Sequence, residues 1–259
     1  MDLLGLLIEF LYRLSGGLAA AMALTSPRLV TSGFFRNHLY VTLGLNVLAA
    51  LVAWSQPENY AVWPATAAAV LSYLGAVCWL YEAKLLGRLF CAAVAICSLA
   101  GAVLANEAFL ARKFDSPLAG IQSFVWHAEP FTSSWLLGFV FAAMLLGHWY
   151  LNAPGMKLEP LKTLHRWAIA GTLVRGALWA CCFALEWQHL GHKPPGWPFW
   201  SLHGGAGILG TLVVLIMSWE TLKIPNTQSA TGILYVGVIF TFLGEVAGLL
   251  ISRESMYPL

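Results

Sequence analysis

The sequence predicts an all-α polytopic membrane protein, with about eight transmembrane helices arranged as two parallel four-helix repeats and both termini outside. Three observations predict it. The chain is 59% hydrophobic and 10% charged, with a mean hydropathy of +0.73, a composition foreign to soluble globules. It divides into roughly eight apolar stretches, each close to the ~20 residues that a bilayer core demands of a helix. Its two halves also read as copies of one another at an offset of about 127 residues.

The spans fall near 4–25, 38–55, 61–82, 89–109, 131–152, 166–187, 200–219 and 230–251. The first has no basic leader and carries Glu9 and Arg13 inside it, so it reads as a retained helix rather than a cleaved signal. Connections are short and hold most of the Pro and charge. Only 107–130 and 188–199 are long enough to fold over a membrane face, and Gly-Pro interruption within the spans is scarce.

The repeat rests on an ordered series of matches. Pro27 to His38 spans the same interval as Pro154 to His165. Then come Tyr40/Trp167, Gly44/Gly171, Val47/Val174, Ala50/Ala177 and Leu51/Leu178. Trp63-Pro64 recurs as Trp197-Pro198, Lys84 as Lys223, and Arg112…Pro117-Leu118 as Arg253…Pro258-Leu259. The first repeat occupies 1–118, a connecting loop 119–130, and the second repeat 131–259.

Orientation follows from the basic residues. Arg28, Arg36, Lys84, Arg88, Lys157, Lys162, Arg166 and Lys223 fall in loops after odd-numbered spans. The opposite loops and tail hold only Arg112, Lys113, Lys193 and Arg253. The positive-inside rule then places both termini outside. Both repeats share one orientation, so their symmetry axis lies along the membrane normal. Trp54, Tyr60, Trp63, Trp126, Trp149, Trp187, Trp197 and Trp200 cluster at span ends, as an aromatic belt does.

Several function classes find no footing. No Gly-rich phosphate loop, nucleophile elbow or HExxH is present, and a net charge of +2 gives no nucleic-acid footprint. Cys78, Cys91, Cys97, Cys181 and Cys182 lie in apolar spans without ligand-like spacing, which reads as packing.

Ionisable residues inside the spans say more, because each costs at least about 2.5 kcal/mol to bury in hydrocarbon. Glu9 and Arg13 stand four apart on one helical face and can pair. Arg175 on helix six and Glu245 on helix eight differ in depth by an amount an Arg side chain spans, and form the candidate catalytic pair. In the first repeat Leu48 stands at the Arg175 position, with Ala105 and Asn106 near that of Glu245, so the pair belongs to the second repeat alone. A structural ion pair locking the bundle is the plain alternative.

The histidines form two layers. His38, His148 and His165 lie near the inner face; His127, His189, His192 and His203 lie near the outer one. Pairs at equal depth on facing helices would ligate haem b, with His148 opposite His38 or His165 on the inner side and His203 opposite His127 on the outer. His203 opens a run of small residues, His203-Gly204-Gly205-Ala206-Gly207, that admits a flat macrocycle or a neighbouring helix. On the outer face Glu107, His127, Glu129, Glu186, His189, His192 and His203 gather beside Trp126, Trp187, Trp197 and Trp200. A quinone or quinol site needs hydrogen-bonding and proton-accepting groups in such an aromatic slot. The predicted quinone contacts are His127, Glu129, Glu186, His189, His203, Trp126 and Trp200.

Phe240-Thr241-Phe242-Leu243-Gly244-Glu245-Val246-Ala247-Gly248-Leu249-Leu250 resembles the Gly-Glu-containing final helix of the quinone-reactive membrane anchors of the dimethyl sulfoxide reductase and polysulfide reductase type. Ser116–Leu151 resembles that family's approach to its fifth helix, and eight spans in two four-helix bundles match its architecture. Where the family has a basic residue soon after Gly-Glu, this chain has Leu249 and Leu250, with Arg253 later. The resemblance implies a haem-free subunit that oxidises or reduces quinone and passes electrons to an iron-sulfur partner. The sequence therefore predicts a multi-pass subunit of a respiratory complex in a bacterial inner membrane, in contact with lipid and with redox subunits but with no nucleic acid. A b-type cytochrome, a transporter using Arg175, Glu245 and Asn46 as its pathway, and a purely structural scaffold are the competing readings.

Overall fold

Hydrocarbon offers a backbone N–H or C=O no water to pair with, so each apolar stretch must close its own hydrogen bonds as a helix. The computed structural model describes residues 2–56, 61–114, 118, 120–153, 155–190, 197–224 and 226–259, without the side chains of His189, Leu190 and Trp197. The helices are α1 (Leu3–Leu24), α2 (Ser32–Trp54), α3 (Val62–Leu80), α4 (Lys84–Lys113), α5 (Gly120–Asn152), α6 (Glu159–Leu190), α7 (Trp197–Ser201), α8 (Thr211–Lys223) and α9 (Thr227–Ser252). A π-helical segment, Leu202–Gly210, joins α7 to α8. No strand occurs among the described residues, and eight spans are long and apolar enough to cross a membrane, the seventh being Pro198–Lys223.

The chain is thus an all-α, multi-pass membrane protein. α1 to α4 pack in a closed ring, as do α5, α6, the seventh span and α9. The two rings meet chiefly where α1 lies against α5. Burial follows this placement: 67% of the apolar window of α1 and 72% of that of α5 are buried, against 33% for α2 and 28% for α6. The outer helices present Leu51, Trp63, Tyr73, Leu173 and other large apolar side chains to lipid.

Glycine sets the spacing at the two crossings that matter for the site. A Cβ on Gly17 of α1 would lie 1.9 Å from Ser134 O of α5, and one on Gly138 would lie 1.9 Å from the backbone carbon of Gly17. A Cβ on Gly207 would likewise lie 2.6 Å from Gly244 Cα. Backbones touch directly at both places, the usual mode of helix association in lipid.

Residues 120–130 correct the predicted connecting loop: they form the first three turns of α5, and Pro130 sits inside the helix. Proline has no N–H to give to Trp126 O, which normally ends a helix. Here Asn106 Nδ2 of α4 donates to that oxygen at 3.0 Å, so the carbonyl is satisfied and the helix continues. α4 runs on to Lys113 as well, which leaves only a short connection at this face.

Candidate functional site

α1 presents Glu9 and Arg13 one turn apart, and both are buried. Arg13 Nη2 donates to Glu9 Oε2 at 3.3 Å, and Arg13 Nη1 to Glu129 Oε1 of α5 at 2.5 Å. Glu129 Oε1 also accepts from Arg175 Nη2 of α6 at 3.1 Å, and Arg175 Nε donates to Glu245 Oε1 of α9 at 3.0 Å. At the other end Arg253 Nη2, just past α9, donates to Glu9 Oε1 at 2.7 Å. The order is Arg253–Glu9–Arg13–Glu129–Arg175–Glu245, strictly alternating in sign and neutral when every group is ionised. It crosses the contact between the two rings. Ser133 Oγ closes it by donating to Glu245 Oε2 at 2.5 Å. Alternation offsets the desolvation that would otherwise forbid charges at this depth.

His203 stands in the electrostatic field of Glu245, Arg175 and Glu129. Its Nδ1 lies 2.6 Å from Gly244 O, an oxygen that can only accept, so Nδ1 carries a proton and Nε2 is the acceptor of the neutral ring. The π segment and the Gly207–Gly244 crossing bring the ring this close to α9; π turns recur at functional sites for such re-aiming. The run of small residues after His203 therefore receives helix α9.

Arg175, Trp179, Phe183 and Trp187 recur every four residues along α6. Trp179 packs against His203 with ring centroids 6.3 Å apart and against Phe183 at 5.4 Å; Phe183 meets Trp200 at 4.9 Å. Arg175 Nη1, Trp179 Nε1, Trp200 Nε1 and His203 Nε2 are buried and have no hydrogen-bond partner among the described residues. Trp179, Trp200 and His203 belong to one group of aromatic contacts that includes Phe183, and Arg175 lies one turn before Trp179 on α6. Buried polar groups rarely stay unpaired, and a cluster of them calls for a ligand or ordered water.

The structure brings Arg175, Glu245, Glu129, His203 and Trp200 into this region and separates the other predicted contacts from it. His127 faces the rim, where its Nε2 lies 2.7 Å from Glu107 Oε1 and its Nδ1 2.6 Å from Ser123 O. Trp126 Nε1 donates to Met256 O at 3.1 Å, and Glu186 Oε2 accepts from Tyr257 N at 3.0 Å, so both hold the C-terminal tail. His192 and the side chains of His189 and Trp197 lie outside the described residues. The tail seals the site from above: Leu259 is fully buried, and its carbonyl oxygen and the His203 ring both lie against Gly248.

The inner histidines differ in the ring nitrogens they leave free. His165 Nδ1 lies 3.1 Å from Leu161 O and its Nε2 2.9 Å from Ser218 Oγ, which leaves no free ring nitrogen. His38 Nδ1 meets Phe34 O at 2.6 Å, and His148 is exposed, with Nδ1 3.3 Å from Tyr235 Oη. No group of three or more metal-holding His, Cys, Asp or Glu is found among the described residues. Asn46 belongs to a separate network in the first ring. Its Nδ2 donates to Ser15 Oγ at 2.6 Å and its Oδ1 accepts from Ser98 Oγ at 3.2 Å, away from Arg175 and Glu245.

Sequence reading missed Arg253, Ser133, Asn106 and Trp179. The Trp179 signal was available, since Arg175+4 shares a helical face with Arg175. No family model matches the chain, and neither does any curated protein or solved structure.

Proposed function

We propose that this chain is an integral membrane subunit of a respiratory or electron-transfer complex, that it binds quinone or quinol between α6 and the seventh span, and that it anchors partner redox subunits in a bacterial inner membrane. The observation that carries the reading is the unpartnered Nε2 of His203, whose ring packs on Trp179 and feels the Arg175–Glu245 ion pair, together with unpaired donors on Arg175, Trp179 and Trp200.

The chemistry fits a ring with two oxygens. Arg175 Nη1 and the indole N–H groups donate to quinone carbonyls; His203 Nε2 accepts from a quinol hydroxyl. Oxidation of quinol breaks two O–H bonds and releases two protons and two electrons. His203 takes the two protons one after the other, Glu245 balances the imidazolium charge each time, and the two electrons go to an iron-sulfur centre of a partner subunit. With His165 saturated by Leu161 and Ser218, its pairing with His148 as haem ligands has less support. A transport pathway through Arg175, Glu245 and Asn46 has less as well, since Asn46 sits in the other ring.

Extraction of quinone from the purified protein tests the reading. Near-stoichiometric quinone in the wild type, lost in His203→Ala with the fold intact, is the expected result. Quinone retained in His203→Ala, or none in the wild type, would overturn it.

A further inference from the structure

The tail and the aromatic wall close His203 off from the nearest aqueous face. A proton taken up there needs a polar way out, and one is built into the protein. We infer that the ion-pair chain is a lateral proton route, running from His203 and Glu245 through Glu129 and Glu9 to Arg253. The inference rests on the quinone reading and names its proton exit.

Four features of the chain support this use. Consecutive members are within 3.3 Å of one another from Glu245 to Arg253. Exposure begins at its far end: the Arg175 side chain is 0% exposed, Arg13 1% and Arg253 14%. Each neighbouring pair of carboxylates shares one guanidinium, Arg175 between Glu245 and Glu129, and Arg13 between Glu129 and Glu9. Finally, Arg13 Nε has no partner, so this arginine has a spare N–H with which to hold one carboxylate while releasing the other.

The steps balance. The two quinol protons leave one after the other: each time a quinol O–H breaks and an N–H forms at His203 Nε2. Each proton then crosses by way of water to form an O–H on Glu245, loosening its pair with Arg175, and passes through water in turn to Glu129, to Glu9 and to the solvent beside Arg253. The arginines keep their protons throughout and only change partners. Electrons leave separately to the iron-sulfur centre of the partner subunit. Quinone reduction runs the same route inward.

Glu9 is the decisive position, because it lies on α1, outside the ring that holds the quinone cluster. The test uses the complex purified with its partner subunits, decylubiquinol as substrate, and added formate or azide as mobile weak acids. Glu9→Ala should keep bound quinone at the wild-type level while turnover falls roughly 10²-fold, the usual worth of a positioned proton carrier. Formate or azide should restore a substantial part of the lost rate, which no packing defect would allow. Should Glu9→Ala fail to assemble, Glu9→Gln combined with Arg253→Gln removes one charge of each sign and goes through the same assay. Full turnover in either variant, or a loss that weak acids leave untouched, overturns the route. Absence of quinone from the wild type instead overturns the underlying reading.

Discussion

Arg13 and Arg175, one from each helical ring, donate to the same atom, Oε1 of Glu129, at 2.5 and 3.1 Å. That oxygen is where the two rings are joined electrostatically. Arg13 brings Glu9 and Arg253 with it, and Arg175 brings Glu245. A bundle packed only by small residues would need none of these buried charges.

Removing the shared carboxylate leaves two buried guanidiniums short of a counter-charge. Breaking a buried pair costs about 3–5 kcal/mol, so Glu129→Ala should be the least stable single variant along the chain. Thermal unfolding in detergent checks this. Glu129→Gln, which keeps an acceptor oxygen, should lose less.

Asn106 and Pro130 should behave as a coupled pair. Asn106→Ala alone orphans Trp126 O and should cost about 1–3 kcal/mol. Pro130→Ala restores an N–H to bond Trp126 O within α5. In that background Asn106→Ala should cost markedly less, and a double-mutant cycle measures the coupling. Equal costs in the two backgrounds would refute the compensation.

This pair also explains what the sequence withheld. The spans were legible from hydropathy, the Glu9–Arg13 pair from four-residue spacing, and Arg175–Glu245 from depths that differ by no more than an Arg side chain spans. The place of Glu129 was not. Pro130 reads as a break, and the residue that repairs it comes from another helix, 20 positions before the Trp126 carbonyl it caps, which no local pattern announces. Once 120–130 is helical, His127 and Glu129 are separated by about 200° around the axis, so neighbours in sequence face opposite ways. His127 meets Glu107 at the rim and Glu129 meets the two arginines inside. Trp126 and Glu186 were read as site residues from their polarity and position, but the tail that occupies them is visible only in three dimensions.

The Gly207–Gly244 crossing should not tolerate a side chain. Gly207→Val places carbon where Gly244 Cα already stands, pushing the seventh span from α9 and His203 from Gly244 O. Overpacking of this kind costs about 1–3 kcal/mol, and bound quinone should fall with stability. Gly205, whose Cβ would meet nothing within 4 Å, should accept alanine with quinone binding unchanged.

Lys113 anchors the tail by donating to Ser252 O at 2.5 Å and also to Ser255 O. Hydrogen bonds from a charged donor contribute about 1.5–3 kcal/mol. Lys113→Met should therefore raise hydrogen–deuterium exchange across 253–259 while the centres of α5 and α9 stay protected. Unchanged exchange in the tail would show that other contacts hold it.

Photolabelling with an azidoquinone, followed by peptide mapping, tests the central claim most directly. The account predicts label on segments carrying Trp179, Trp200 or His203, suppressed by excess decylubiquinone and lost in His203→Ala. Competable label centred instead on His127 and Glu107 would place the quinone at the rim, and would contradict the site proposed between α6 and the seventh span.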